Sequence, residues 1–432
     1  MTPQNLDSKF QQLRQELPTE TEELARKHKA FQRARKIKTA FDLLRVVMLY
    51  SVCDLSLREI AGWFTGRGRR MTDDAVRGRL KCCAEWIRAL LSEMLPTAQL
   101  PDPPEGKKAW KLVIRDGSVI SGPGSQGTDY RLHLSFDPIE QKIGEFHVYD
   151  AKTGESLKLF ERDENTIEIS DRGFAKAPGL IATRKTDAHF LVRMSPNYLA
   201  LQDRAGNKFD VVEQLRSAVD ADSLSFDVVI RDAKTGETCD AYLHAHRLSE
   251  QASNKARRRA KRTSKKNGKV LKQTTLTLCD WLLILTSVPP SELPAKVIFK
   301  FYRVRWQVEL LIKRFKSLLN ADGLRVSAGS PLAEIYLLGK LLFALLVEGR
   351  ALNRVGNDWT RMIGQRKATC WRLWKLIAAE IKEAILNTVA WDSFDWREML
   401  NVLGERKRKR KLQLIPDAVI QWLQGKPILA SP

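Results

Sequence analysis

The sequence predicts a multidomain protein of mixed α and β structure, a sheet-containing core set between helical ends. Three observations lead there. From Phe41 to Leu95, and again from Ser330 onward, apolar residues recur with the period of a helix. Between Lys108 and about Pro290 they gather instead into short β-branched and aromatic runs, divided by glycine-containing or polar turns. At 432 residues the chain is long enough for about three domains, each with a proper core.

Composition narrows the partners. A hydrophobic content of 43% with 29% charged residues fits a soluble globular protein. The formal net charge of +22 points to a polyanion, with DNA or RNA first. An anionic membrane surface is the weaker alternative, because no long basic amphipathic helix stands out. The six cysteines show no Cys-x-x-Cys spacing and no neighbouring histidines, so they read as thiols of a reducing cytosol. The polar start is no signal peptide, and the longest apolar stretch, Ile335 to Val347, is interrupted by Gly339 and Lys340. A cytoplasmic protein with no membrane segment is expected.

Taken in order, residues 1–95 form a helical N-terminal DNA-binding domain. A helix is expected from Thr19, and the strings LSLREIAGWF and MTDDAVRGRLKCCAEWI flank the turn GRGRR. Thr72 is placed to cap the second of these helices, with Asp73 and Asp74 in its first turn. Helix, turn and a second helix carrying Arg77, Arg79 and Lys81 suggest a helix-turn-helix reader of DNA, with a plain helical hairpin as the alternative. Pro96, Pro101, Pro103 and Pro104 then mark a linker.

The runs KLVIRD, YRLHLSFD, EFHVYDA and NTIEISD follow, then a helical stretch around GFAKAPGLIATRK and a strand at HFLVRMS. Three antiparallel-looking strands, a fourth, a helix and a fifth make the order of a ribonuclease-H-like core over residues 105–196, an order other α/β folds share. Residues 197–290 read as an inserted β-rich subdomain with one helix, Val211 to Ala218. Within it Lys255 to Lys272 holds ten basic residues and no acidic one, and is expected as a flexible, phosphate-contacting loop. Residues 291–345 complete the core. Residues 346–432 form a helical C-terminal region with six successive cations from Arg406 to Lys411.

The most informative stretch is FYRVRWQVELLIKRFKSLL, Phe301 to Leu319, read as one helix. At about 100° per residue, Val304, Val308, Leu311, Phe315 and Leu318 share a sector of roughly 80° facing the core. Tyr302, Arg305, Glu309 and Lys316 fall within roughly 60° of each other on the other side. The spacing of those four resembles the tyrosine–arginine–glutamate–lysine signature of bacterial insertion-sequence transposases of the insertion-sequence-four type. Glu309 would then be the glutamate of an Asp, Asp, Glu metal site.

Two upstream aspartates fit. Metal-assisted phosphoryl transfer needs carboxylates converging on two divalent ions about 3.5–4 Å apart. Strand ends fix the direction of such groups. Asp116 closes KLVIRD before Gly117, and Asp171 closes TIEISD in the string DRGF; both contexts resemble the family's. Asp137, Asp150 and Asp163 are rivals without those contexts. Carboxylate ligands suit hard cations, and no His or Cys cluster offers zinc a home.

The resemblance implies two Mg²⁺ ions, with Mn²⁺ as a substitute, bound by Asp116, Asp171 and Glu309. It implies that Tyr302, Arg305 and Lys316 hold phosphates. Trp281, in DWLLILTSVP, resembles a family tryptophan that stacks on a flipped base; a buried core tryptophan is the other reading. Arg193, ending HFLVR, resembles an arginine near the transposon end. Implied too are double-stranded DNA partners, both transposon ends and target, a homodimer pairing two ends, and a place beside the bacterial nucleoid. Cut-and-paste chemistry through strand cleavage, hairpin formation and strand transfer follows from the same resemblance. A ribonuclease-H-like nuclease without strand joining, or an inactive DNA-binding regulator, are the alternatives.

Overall fold

The computed structural model describes residues 8–65, 69–94, 110–122, 124–139, 142–218, 221–318, 324–326, 329–355, 362–363, 366–368, 370–386, 404–405 and 417–425. The proline linker and the run Arg406 to Lys411 lie outside them, as do the side chains of Phe315 and Leu318.

Within the C-terminal region expected to be helical, Met362–Ile363, Arg366–Ala368 and Gly404–Glu405 pair as a small antiparallel sheet of three strands. The other strands among the described residues are ten: β1 Lys111–Ile120, β2 Tyr130–Asp137, β3 Lys142–Asp150, β4 Thr166–Ser170, β5 His189–Arg193, β6 Leu201–Gln202, β7 Lys208–Phe209, β8 Ser223–Arg231, β9 Thr238–Arg247 and β10 Trp281–Thr286. All ten join one mixed sheet in the order β3-β2-β1-β4-β5-β10-β9-β8-β6-β7. β1 pairs antiparallel with β2 and parallel with β4, and β4 pairs parallel with β5. The helix Ala177–Arg184 makes the crossover between β4 and β5. Parallel strands need cover on both faces, and β4 is buried at every residue. Beyond β5 the sheet continues, because β10 pairs antiparallel with β5 and β9 with β10. The β-rich segment after residue 197 thus extends the sheet of the first five strands.

A buried charge cluster ties β1 to its neighbours. Arg115 bonds Glu168 of β4 at 3.0 Å, the main-chain oxygen of Glu161 at 2.6 Å, and Glu145 of β3. Glu168 also accepts from Thr183 Oγ1 at 2.9 Å. Removing one partner from such a cluster leaves a charge unpaired, at a cost of about 3–5 kcal/mol. Arg115 immediately precedes Asp116, so the cluster anchors the strand at the candidate site.

The N-terminal helices share their core with the helix Pro331–Val355, which packs on Ala40–Ser51 and Ala84–Met94. Thr39 caps Ala40–Ser51 by accepting from the Asp42 amide at 2.9 Å. Buried Lys340 reaches Asp54 at 3.3 Å, and the Tyr336 hydroxyl donates to the same carboxylate at 2.6 Å. Among the described residues no helix is long and apolar enough to cross a membrane.

Two further elements depart from expectation. Phe301 to Leu319 is not one helix: Ala295–Val304 ends at Arg305 and a second helix, Trp306–Leu318, begins. The Arg305 amide bonds back to Tyr302 O, and the Val308 amide to Arg305 O, in tight three-residue turns at 3.1 and 3.2 Å. The expected loop after Lys255 is instead part of the helix Glu250–Lys266. Ala252, Ala256 and Ala260 favour a helix among the arginines and lysines. Asn267 and Gly268, the latter at φ +62°, end it. The Lys269 amide returns to Ser264 O and the Gly268 amide to Lys265 O, a paired closure that suits a residue without Cβ.

Candidate active-site cleft

The parallel ladder places the two aspartates. Arg115 of β1 stands opposite Ser170, the last residue of β4, so Asp116 in β1 and Asp171 just past the end of β4 come next. Asp116 is not at a strand end as expected, since β1 continues to Ile120. The hairpin with β2 keeps pairing from Gly117 to Ile120 after β4 has stopped. Asp171 caps the short turn Arg172–Phe174, its Oδ1 accepting from the Gly173 amide at 2.7 Å. Glu309 arrives from the first turn of Trp306–Leu318, held from behind by buried Val304, Val308 and Leu311.

These side chains line one cleft of about 460 Å³, together with Arg305, Lys313 and Lys316. Arg305 joins two of the carboxylates, bonding Glu309 through Nη2 and lying 3.5 Å from Asp116 Oδ2 through Nη1. Asp116 is only 8% exposed. Burial pushes its pKa up to about 7, Arg305 opposes that, and Asp171 and Glu309 add to it. Burial pulls Arg305 down, but Tyr302, Glu309 and Asp116 outweigh it and raise its pKa. Buried Tyr302 lies under Arg305, 5.7 Å from ring centroid to guanidinium. Its hydroxyl is pushed up by burial, against the pull of Arg305 and Arg193.

Of the expected site residues, Asp116, Asp171, Glu309, Arg305 and Lys316 meet in the cleft, with Tyr302 against Arg305. Arg193 ends β5, exposed and close enough to act electrostatically on Tyr302. Trp281 lies elsewhere. It opens β10 within a core, 4% exposed, with the Arg247 guanidinium 4.5 Å from its ring centroid. Its ring faces are therefore covered, and stacking on a base requires Arg247 to leave. Arg77, Arg79 and Lys81 lie on the helix Asp73–Lys81, away from the cleft, with Arg79 reaching Arg33 O at 3.4 Å. The rival aspartates are used locally: Asp137 and Asp150 close turns, and Asp163 pairs with Lys111 at 2.8 Å. Lys313 was missed, although it lies one helical turn beyond Glu309 and so shares its face.

Among the described residues no three acidic, histidine or cysteine side chains already form a metal cage. The donor set nonetheless suits a hard divalent cation. Three carboxylates face one cleft, and one of them is buried where its charge is costly without a cation. Arg305 already serves that need for Asp116 and Glu309.

The family model described as "Transposase DDE domain" matches residues 111–342. The chain belongs to the DDE transposases. All three carboxylates lie inside the matched span. The transposase is 31% identical over 338 residues to the transposase for insertion sequence element IS421 of Escherichia coli, covering 77% of this chain and 90% of that one. It is 31% identical over 337 residues to the InsL proteins of insertion sequence elements IS186A and IS186B of Escherichia coli strain K12, with the same coverage. It is thus a DDE transposase of the bacterial insertion-sequence kind.

Proposed function

We propose that the transposase recognises the terminal inverted repeats of its element as a homodimer in the bacterial cytoplasm, and cuts and joins DNA in the cleft of Asp116, Asp171 and Glu309. The observation that carries this is the convergence of three carboxylates with Arg305, Lys313 and Lys316 in one cleft. The order β3-β2-β1-β4-β5 supports a ribonuclease-H-like core beneath it.

The three carboxylates would hold the divalent cation, Mg²⁺ or Mn²⁺, which supplies charge neutralisation at the phosphorus and a more acidic attacking water or hydroxyl. Lys316 and Lys313 line the side from which a phosphate backbone would approach. Arg305, already shared between Asp116 and Glu309, can turn one arm of its guanidinium to a phosphate oxygen. Tyr302 beneath it keeps that guanidinium from tilting away.

The reaction sequence balances with water and DNA alone. Water cleaves one strand and frees a 3′-hydroxyl, which attacks the opposite strand and displaces flanking DNA to leave a hairpin. A second water opens the hairpin, and the 3′-hydroxyl attacks target DNA. Arg77, Arg79 and Lys81 would read the end sequence from a separate surface.

A reciprocal experiment tests both halves. Asp116→Asn, Asp171→Asn and Glu309→Gln each abolish strand cleavage while the footprint on the end sequence survives. The triple change of Arg77, Arg79 and Lys81 to Ala weakens the footprint yet leaves cleavage of preformed ends. Cleavage by any carboxylate variant at the wild-type rate removes that residue from the site. Nicked products without hairpins in the wild type would make the enzyme a plain nuclease.

A further inference from the structure

A fourth carboxylate stands beside the cleft, next to Gly117 and Gly173. Glu155 follows β3, its backbone held by Lys176 Nζ, which donates to the Glu155 main-chain oxygen at 2.7 Å. Its side chain lies half-buried over two glycines. A Cβ built on Gly173 would overlap Glu155 Oε2, and Asp171 Oδ1 stands 3.1 Å from the same point. A Cβ built on Gly117, next to Asp116, would lie 3.2 Å from Glu155 Oε1. Both glycines therefore leave the space that this carboxylate fills.

Arg131 and Lys176 act on Glu155 electrostatically without pairing with it. Arg305 serves Asp116 and Glu309. Among the described residues no basic side chain forms a salt bridge with Asp171 or Glu155, although the two carboxylates face each other across Gly173. A second observation comes from β2. His133 is fully buried, and its Cδ2 lies 3.2 Å from the same point beside Gly117. Neither of its ring nitrogens has a hydrogen-bond partner. Buried polar atoms in folded proteins are seldom left so, unless a bound ligand or water meets them.

We infer that Glu155 is a fourth metal-positioning carboxylate of this transposase, facing Asp171 to complete the oxygen set for a hard divalent cation. This rests on the metal reading of Asp116, Asp171 and Glu309 given above. The ring of His133, packed against Tyr149, Phe160 and Phe174, brings its Cδ2 edge to the same space and would meet a ligand or water held there. Two carboxylates held together without a directly bonded counter-ion repel one another, and Arg131 and Lys176 offset that only in part. A divalent cation between them turns that repulsion into attraction, which favours binding on this side of the cleft.

Manganese binding by the full chain without DNA tests the inference, read from the paramagnetic resonance of free Mn²⁺ and from the rise in Tm that Mn²⁺ produces. Glu155→Gln weakens Mn²⁺ affinity by about 10-fold or more. It also shrinks the Tm rise, and leaves the metal-free Tm equal to or above that of the wild type. Gly173→Ala also weakens Mn²⁺ affinity, because its new Cβ displaces the Glu155 carboxylate and crowds Asp171 as well, so it supports the inference only beside a weakened Glu155→Gln. Asp171→Asn is the control. Wild-type Mn²⁺ affinity in Glu155→Gln beside weakened Asp171→Asn overturns the role of Glu155 alone. A lowered metal-free Tm with full affinity also overturns it, making Glu155 a loop strut. Wild-type affinity in both variants, or no Mn²⁺ binding by the wild type, overturns the metal reading of the cleft as well.

Discussion

Arg305 shows how much one side chain decides in this transposase. It ends one helix, starts the geometry of the next, spans Asp116 and Glu309, and rests on Tyr302. The spacing from Tyr302 to Lys316 was legible because four fixed residues at fixed gaps carry more information than any single motif. The backbone break at Arg305 was not. A tight turn inside a run of helix formers leaves no glycine or proline to announce it. Trp281 shows the opposite case, a residue whose resemblance pointed to DNA and whose surroundings point to packing. Its ring is buried and covered by Arg247. Trp281→Ala is therefore expected to cost about 3–5 kcal/mol of stability. Nicking and hairpin formation should fall together, with Tm measured on the same preparation. Selective loss of hairpin formation at an unchanged Tm would show that the ring leaves the core to stack on a base.

At the scale of elements, the helices are held to the sheet-bearing core by close crossings. The helix Pro331–Val355 meets Ala40–Ser51 at Gly339, where an added Cβ would overlap Ser51 Oγ. Alanine is the better helix former there by about 0.5–1 kcal/mol. Overpacking costs about 1–3 kcal/mol, so the crossing wins. Gly339→Ala is expected to destabilise the protein in chemical unfolding, and an unchanged or raised midpoint would mean that the two helices part without cost. The strands were legible as elements, since β-branched runs between turns mark β1, β2, β4 and β5. Their lateral order beyond β5 was not legible. The pairing of β10 with β5 joins residues about ninety positions apart, and no local pattern records such a contact. The same limit hid that the strands after residue 197 continue the sheet of the first five. Asp116 and Asp171 were singled out by their local strings, KLVIRD before Gly117 and TIEISD before Arg172, whereas Glu155 is defined by two glycines distant from it in sequence.

At the scale of the whole molecule, the net charge of +22 is gathered in places. The helix Glu250–Lys266 turns Ala252, Ser253, Ala256, Ala260 and Ser264 toward the protein, and these are its less exposed positions. Lys255, Arg258, Arg259, Lys261, Arg262, Lys265 and Lys266 occupy the outer arc of roughly 160°. All seven are exposed. Among the described residues the one acidic partner of this helix is Asp280, which takes Arg257 at 2.6 Å. A run of cations was expected to repel itself into a loop. Alanine at every fourth position and a glycine closure offset that repulsion, and the result is a rigid basic face about 25 Å long. A preformed face loses less conformational entropy on meeting DNA than a loop would. Each phosphate it neutralises adds about 0.9 to the slope of log affinity against log salt. Changing Arg258, Arg259, Arg262 and Lys265 to Gln should therefore reduce that slope by about 3–4 in anisotropy titrations with end DNA. The footprint on the end sequence should keep its boundaries, because cations that meet phosphates rather than base edges carry no sequence information. A slope equal to the wild type's would place this helix off the DNA and assign the long-range attraction to the remaining cations.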